Sequence, residues 1–88
     1  MFTSWGVETA KKYTVSQVEQ ILSQLDSGNY GMILRAKGIV AGEDGAWIHF
    51  DYVPGEQNVR IGAADVTGKL CVIGAELAEE AVAKLFGV

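Results

Sequence analysis

The sequence predicts an α+β fold, an antiparallel β-sheet of four to five strands with two helices packed on one face, in the order β-α-β-β-β-β-α. Apolar residues recur at helical spacing near positions 15–25 and again at 77–86. The stretch between them consists of β-branched and aromatic runs separated by Gly-containing turns. Because the strands cluster in the middle and do not alternate with helices, an antiparallel sheet is favoured over a parallel one.

The first two elements are a strand over 2–8 and a helix of about 11 residues that begins after its cap at Thr14 and ends at Leu25. Thr14 followed by Gln17 matches a capping box, and Tyr13 and Val18 occupy the positions of a hydrophobic staple. Gly28 is suited to the left-handed conformation that follows many helices. The helix is expected to pack on the sheet through one apolar stripe, formed by Val15, Val18, Ile21, Leu22 and Leu25.

The next two strands, over 32–40 and 46–53, form a predicted hairpin around the turn at 42–45. A short strand over 58–61 and a buried strand over 69–73 follow. The final helix spans 77–86, and its inner stripe consists of Leu77, Ala78, Ala81, Val82 and Leu85.

Period-two alternation divides the hairpin into two faces. The core face is predicted to carry Met32, Leu34, Ala36, Gly38, Val40, Ile48, Phe50 and Tyr52. The opposite face carries Ile33, Arg35, Lys37, Ile39, Trp47, His49, Asp51 and Val53. A turn centred on Glu43 would pair Arg35 with Asp51, Lys37 with His49, and Ile39 with Trp47, whereas a register shifted by two residues would keep the faces and change the partners.

The second face has two interpretations. It is either a half-exposed sheet face with ordinary cross-strand pairs, or a docking surface, since Trp and Arg are common interface anchors. On the docking interpretation the candidate interaction residues are Arg35, Lys37, Ile39, Trp47, His49 and Asp51.

Composition excludes several function classes. The 88 residues carry a net charge of −4 with a pI near 4.8, which argues against nucleic-acid and anionic-membrane partners. A single cysteine, Cys71, excludes an internal disulfide and a cysteine cluster for zinc, and no phosphate-binding loop motif is present. No signal peptide or membrane span is recognisable, so a cytoplasmic location is expected. His49 and Cys71 are each explained by packing, although a metal pair between them stays open. The sequence therefore predicts no catalytic, cofactor or metal residues.

Two segments carry a family resemblance. Residues 34–40 read Leu-Arg-Ala-Lys-Gly-Ile-Val, and residues 70–77 read Leu-Cys-Val-Ile-Gly-Ala-Glu-Leu before the last helix. In this order, and with the opening Phe-Thr-Ser-Trp at 2–5, the chain resembles the C-terminal domain of the CobW family of P-loop GTPases over nearly its whole length. Ala78 departs from the pattern, since members often carry Asp or a similar cap near the start of the last helix.

The resemblance implies a single C-terminal domain over 1–88, without the N-terminal GTPase domain. Full-length members resemble cytoplasmic metallochaperones or insertases linked to cobalt, cobalamin or zinc. Their GTP, magnesium and metal sites lie in the N-terminal domain, so no cofactor is expected in this chain.

The implied role is a non-catalytic accessory domain that docks onto a CobW-like GTPase domain in cis, a client metalloprotein or another copy. Among the residues of the family pattern, Arg35 and Lys37 belong to the predicted functional face. The alternative is a free-standing α+β module that binds a small ligand or self-associates through its sheet.

Overall fold

The computed structural model describes all residues from 1 to 88 and shows an α+β fold. The elements are β1 (Phe2–Thr9), β2 (Lys12–Tyr13), α1 (Val15–Leu25), β3 (Met32–Gly42), β4 (Trp47–Val53), β5 (Glu56–Gly62), β6 (Gly68–Ala75) and α2 (Glu79–Phe86). Five strands form an antiparallel sheet in the order β1-β6-β3-β4-β5, and β2 adds a two-residue parallel pair to β3. The predicted fold class is confirmed, with β2 as an additional short strand.

Both helices pack on the same face of the sheet, where the core lies. Phe86 of α2 stacks between Trp5 of β1 and Phe50 of β4, with ring centroids 5.7 and 6.2 Å apart. The Tyr13 hydroxyl donates a buried 2.7 Å hydrogen bond to the carbonyl oxygen of Phe86. Burial raises the pKa of Tyr13 to about 12. These contacts connect α2 to strands β1, β2 and β4.

Helix α1 begins and ends at the predicted signals. The Thr14 hydroxyl accepts from the Gln17 amide at 3.1 Å, and the Gln17 side chain accepts from the Thr14 amide at 2.9 Å, so the capping box is complete. Four predicted stripe residues are buried, whereas Val15 in the first turn is exposed. Asp26 follows the helix and accepts from the Tyr52 hydroxyl and, at 3.0 Å, from the Gly55 amide. The helix end is thereby connected to the turn between β4 and β5.

Helix α2 is shorter than predicted, and its inner face differs. It begins at Glu79 after Ala78, which is exposed and provides no side-chain cap. The buried residues are Val82 and Phe86, and Leu77, Ala81 and Leu85 are half-buried. The prediction missed Phe86 because it assigned the inner stripe from the aliphatic residues alone.

The predicted faces are wrong at the start of β3, because the strand contains a β-bulge. The pairing of β3 with β6 shifts between Ile33 and Arg35, which leaves Leu34 unpaired. An extra residue reverses the alternation on its N-terminal side. Ile33 is therefore buried in the core, whereas Met32 and Leu34, both predicted to be core residues, are exposed.

The β3–β4 register is the one shifted by two residues, and the predicted partners are wrong. Lys37 pairs with Asp51, Ile39 with His49, and Ala41 with Trp47. The turn centres on Asp44, because Gly45 has a left-handed φ of 89° and Gly42 donates to the Ala46 carbonyl. A three-residue loop ending in a left-handed glycine is a common hairpin connection.

Candidate interaction surface

The sheet face opposite the helices, here called the outer face, carries all six predicted interaction residues. Neither helix covers it. The cross-strand registers arrange its centre in two adjacent rows. One row runs Gly6, Cys71, Lys37, Asp51 and Asn58, and the next runs Glu8, Lys69, Ile39, His49 and Arg60. Arg35 lies two residues before Lys37 on β3, and Trp47 lies two residues before His49 on β4. The structure therefore brings the predicted residues onto one surface.

Asp51 is the centre of a charged cluster on the outer face. Its two oxygens are occupied separately, since Oδ1 accepts from Arg35 at 3.3 Å and Oδ2 from Arg60 at 2.9 Å. Partial burial raises the pKa of Asp51, but the hydrogen bonds from Arg60 and Arg35 and the charges of Arg60 and Lys37 outweigh it, so the pKa lies below its usual value. Arg60 also donates to Asn58 at 3.0 Å. The sequence prediction omitted Arg60 because the pairing of β5 was not considered.

Ile39 and Trp47 form the apolar part of the predicted surface, and both are half-buried. His49 is also half-buried, and its ring lies against Gly62, where an added β-carbon would be 2.6 Å from the imidazole. Its Nε2 lies 2.7 Å from the carbonyl oxygen of Ala63. The histidine is therefore held by local contacts with the end of β5.

A second apolar group, here called the apolar corner, lies at the other end of the outer face. Phe2, Ala75 and Met32 are aligned across β1, β6 and β3, and Ile73 is next on β6, opposite Arg35. Phe2 and Met32 are 62% and 68% exposed. Alternation alone placed Met32 on the core face, so the sequence prediction did not include this corner. The one indication in the sequence was that Phe2 does not share the two-residue spacing of Trp5 and Val7.

The residues that could bind a metal are dispersed on the outer face. His49 on β4 and Cys71 on β6 are separated by the intervening strand β3 and are offset by two residues along the strands, which places their backbones about 12 Å apart. The Cys71 sulfur lies 3.9 Å from the Ser4 hydroxyl. No group of three or more His, Cys, Asp or Glu side chains is placed to hold a metal ion. These side chains do not fit a metal centre, and none of them is assigned to a reaction step.

The largest concavity lies on the other side of the molecule, between α1 and α2. This open groove has a volume of 820 Å³ and is lined mainly by polar side chains, including Gln17, Gln20, Gln24, Lys11 and Lys84. Its serines, Ser16 and Ser23, form no hydrogen bond with the Glu or Lys side chains that line it. The outer face is therefore the better candidate for a functional surface.

Neither helix has the length and apolar character needed to cross a bilayer.

Comparisons with known proteins agree with the fold. No curated protein sequence matches at a significant level. Among solved structures, the chain superimposes on the Zn(II)-bound YjiA GTPase from E. coli with a TM-score of 0.76 and 23% identity, covering 97% of this chain and 28% of that one. A Zn(II)-bound triple mutant of YjiA GTPase gives a TM-score of 0.79 at 21% identity with the same coverage. The chain thus spans less than a third of the length of these structures.

A family model provides the assignment. The model described as "Cobalamin synthesis protein cobW C-terminal domain" matches residues 2–88, which is nearly the entire chain. This match agrees with the phrases at 34–40 and 70–77 and with the two structural similarities. The chain therefore belongs to the CobW C-terminal domain family.

Proposed function

We propose that this chain is an accessory interaction domain that acts beside a CobW-like GTPase domain and docks through its outer face. The observation that carries the proposal is the position of Ile39 and Trp47, two half-buried apolar side chains on a sheet face that no helix covers. When one face of an antiparallel sheet is open to solvent, that face is normally polar. Partly exposed apolar side chains on it are therefore typical of a contact surface.

Two apolar regions flank the charged centre of this surface. Ile39 and Trp47 lie on one side, and the apolar corner lies on the other. Covering apolar area contributes about 25 cal/mol per Å², and a stable interface covers about 800 Å² on each partner. The outer face extends over five strands and offers the continuous surface that such an interface requires.

The chemistry of the complete system is assigned to the partner domain. The solved relatives are Zn(II)-bound GTPases. Nucleotide, magnesium and zinc or cobalt are proposed to bind outside this chain, because its side chains form no phosphate-binding loop and no metal cluster. The chain would then orient the GTPase domain relative to a client metalloprotein, without a catalytic group of its own.

The test combines Arg35→Glu with Trp47→Ala and measures binding to a CobW-like GTPase domain by calorimetry. We expect binding to weaken at least about tenfold, because the change removes an apolar anchor and reverses a charge at the interface. The matched control combines Lys12→Glu with Val15→Ala, which makes the same two types of change on exposed residues of β2 and α1.

Thermal melting verifies that both double variants remain folded. Unchanged binding of the Arg35/Trp47 variant, or equal loss in the control, contradicts the proposal. Self-association through the outer face is the alternative, and sedimentation equilibrium distinguishes it. A dimer that dissociates in the Arg35/Trp47 variant, without binding of a GTPase domain, would favour the alternative.

A further inference from the structure

The charge distribution around Asp51 indicates what kind of partner the outer face binds. Arg35, Lys37 and Arg60 surround this one carboxylate, which leaves a local excess of two positive charges in a chain whose net charge is −4. Each oxygen of Asp51 is already bonded to an arginine. Lys37 is exposed and has no ion pair and no side-chain hydrogen bond, although it lies directly across from Asp51.

The surroundings of Lys37 restrict the anion that can bind. Ile39 follows two residues later on the same face, and Ile73 of the apolar corner lies opposite Arg35 on the other side. Glu8 on β1 and Glu56 on β5 lie at the two margins of the outer face, and neither forms an ion pair. A phosphate backbone running across the face would meet these carboxylates, whereas one carboxylate with apolar neighbours would not.

We propose that the outer face binds a protein segment that presents an Asp or Glu carboxylate to Lys37, with apolar side chains on both sides of that carboxylate. The ammonium group of Lys37 pairs with the carboxylate, and Arg35 and Arg60 stay on Asp51. The flanking apolar side chains cover Ile39 with Trp47 on one side and the apolar corner on the other. The inference rests on the proposed function insofar as the outer face is the contact surface, but it does not require the partner to be a GTPase domain.

The test uses Trp47 as a reporter on the same face. The probe is a capped peptide with a single central Glu and a Leu two residues before and two residues after it, which puts the three side chains on one side of an extended segment. Its twin carries Gln in place of Glu. We expect the Glu peptide to change the Trp47 fluorescence saturably and to bind roughly tenfold more tightly than the Gln peptide. The second tryptophan, Trp5, is buried under α2, so Trp47→Phe should abolish the signal.

Charge variants determine whether Lys37 is responsible. Lys37→Glu should weaken the Glu peptide about tenfold, Lys37→Gln should weaken it less, and the control Lys12→Glu should leave it within about twofold. At about 1 M salt, where the Debye length falls to about 3 Å, the affinity of the Glu peptide should fall to about that of the Gln peptide. The Lys37→Gln variant serves if Lys37→Glu does not fold, and circular dichroism establishes folding.

Several results overturn the inference. They are absent binding of the Glu peptide, equal binding of the Glu and Gln peptides, no effect of either Lys37 variant, and tighter binding of a single-stranded oligonucleotide. Failure of a GTPase domain to bind, with the peptide results as expected, rejects the proposed function and leaves this inference standing. Binding of a GTPase domain that is weakened in the Arg35/Trp47 variant, without binding of the Glu peptide, keeps the proposed function and rejects this inference.

Discussion

Position 38 has room only for glycine, because a β-carbon there would lie 2.6 Å from the Phe50 ring and 2.7 Å from the Lys69 carbonyl oxygen. It lies directly opposite Phe50 on the core face of the sheet, and the same ring stacks on Phe86. The Lys-Gly step of the sequence thus places a charged residue on the outer face and leaves room for an aromatic ring on the core face. The adjacent residues Lys37 and Gly38 therefore connect the outer face to the core under the helices.

Gly38→Ala is expected to destabilise the fold by about 1–3 kcal/mol, because overpacking displaces the Phe50 ring or the backbone of β6. Urea unfolding measures the change. Gly6→Ala on β1 is the comparison, since the nearest atom to its added β-carbon is 3.3 Å away, so its cost should be smaller. Equal stability of Gly38→Ala and the parent chain would contradict this account of the glycine.

Asp26 and Tyr52 provide a pH-dependent connection between α1 and the β4–β5 turn. The hydrogen bonds from Tyr52 and the Gly55 amide hold the pKa of Asp26 below its usual value. A carboxylate with a lowered folded-state pKa contributes stability above its unfolded pKa, and that contribution is lost as the pH falls through the folded pKa. Asp26→Asn retains the shape but not the charge. We therefore expect the Tm difference between parent and variant to be present at neutral pH and to close in acid below about pH 4.

At alkaline pH the stability contributed by this hydrogen-bonded pair changes with pH in the opposite direction. Burial, together with the bond to Asp26, raises the pKa of Tyr52 to about 12. Stability from this group is complete below the unfolded pKa of about 10 and decreases as the pH rises toward 12.

A Tm difference for Asp26→Asn that stays constant from neutral to acid pH would show that Asp26 is not linked to folding.

At the scale of elements, the two helices begin differently. Helix α1 has a complete capping box, whereas α2 starts after Ala78, whose side chain cannot accept from the free amides of the first turn. The Ala78 amide itself donates to the Tyr30 carbonyl at 3.0 Å. Glu79 and Glu80 in the first turn interact favourably with the helix dipole but do not replace a cap.

Ala78→Ser is expected to stabilise the chain by about 1 kcal/mol, because a hydroxyl at this position can accept from the first-turn amides. For a domain of this size the gain corresponds to a Tm increase of about 4–8 °C. Ala10→Ser, at an exposed position outside any helix or strand, is the control and should leave Tm unchanged. A Tm for Ala78→Ser at or below that of the parent would show that the start of α2 cannot use a cap.

The elements also show what periodicity can predict. Capping residues and an apolar stripe identified α1, and the two-residue spacing of Lys37 and Ile39 and of His49 and Asp51 identified the outer face. The bulge at Leu34 could not be predicted, because an unpaired residue leaves no mark in the composition. The register also depended on which residue of the turn adopts the left-handed conformation, and only the structure shows that it is Gly45.

At the scale of the whole molecule, distant pairing completes the outer face. Strand β1 pairs with β6, so Phe2 lies opposite Ala75 near the other end of the chain. The pairing of β4 with β5 brings Arg60 to Asp51 in the same way. Local patterns contain no information on these partners, which is why the apolar corner and the second arginine were not predicted. The polar centre and both apolar ends exist only when all five strands are assembled.

The isolated chain is expected to have no tight site for zinc or cobalt. Tight zinc or cobalt sites use three or four protein ligands, whereas the one histidine and the one cysteine here are separated by β3 and held by Ala63 and Ser4. Competition with a chromogenic chelator should therefore show no stoichiometric zinc site, and added chelator should leave Tm unchanged, because a ligand that binds the folded state raises Tm and its removal lowers it. Cys71→Ser and His49→Ala distinguish adventitious from specific binding. Retention of one zinc per chain against the chelator, with loss in either variant, would show that the outer face rearranges around a metal and would place metal handling within this domain.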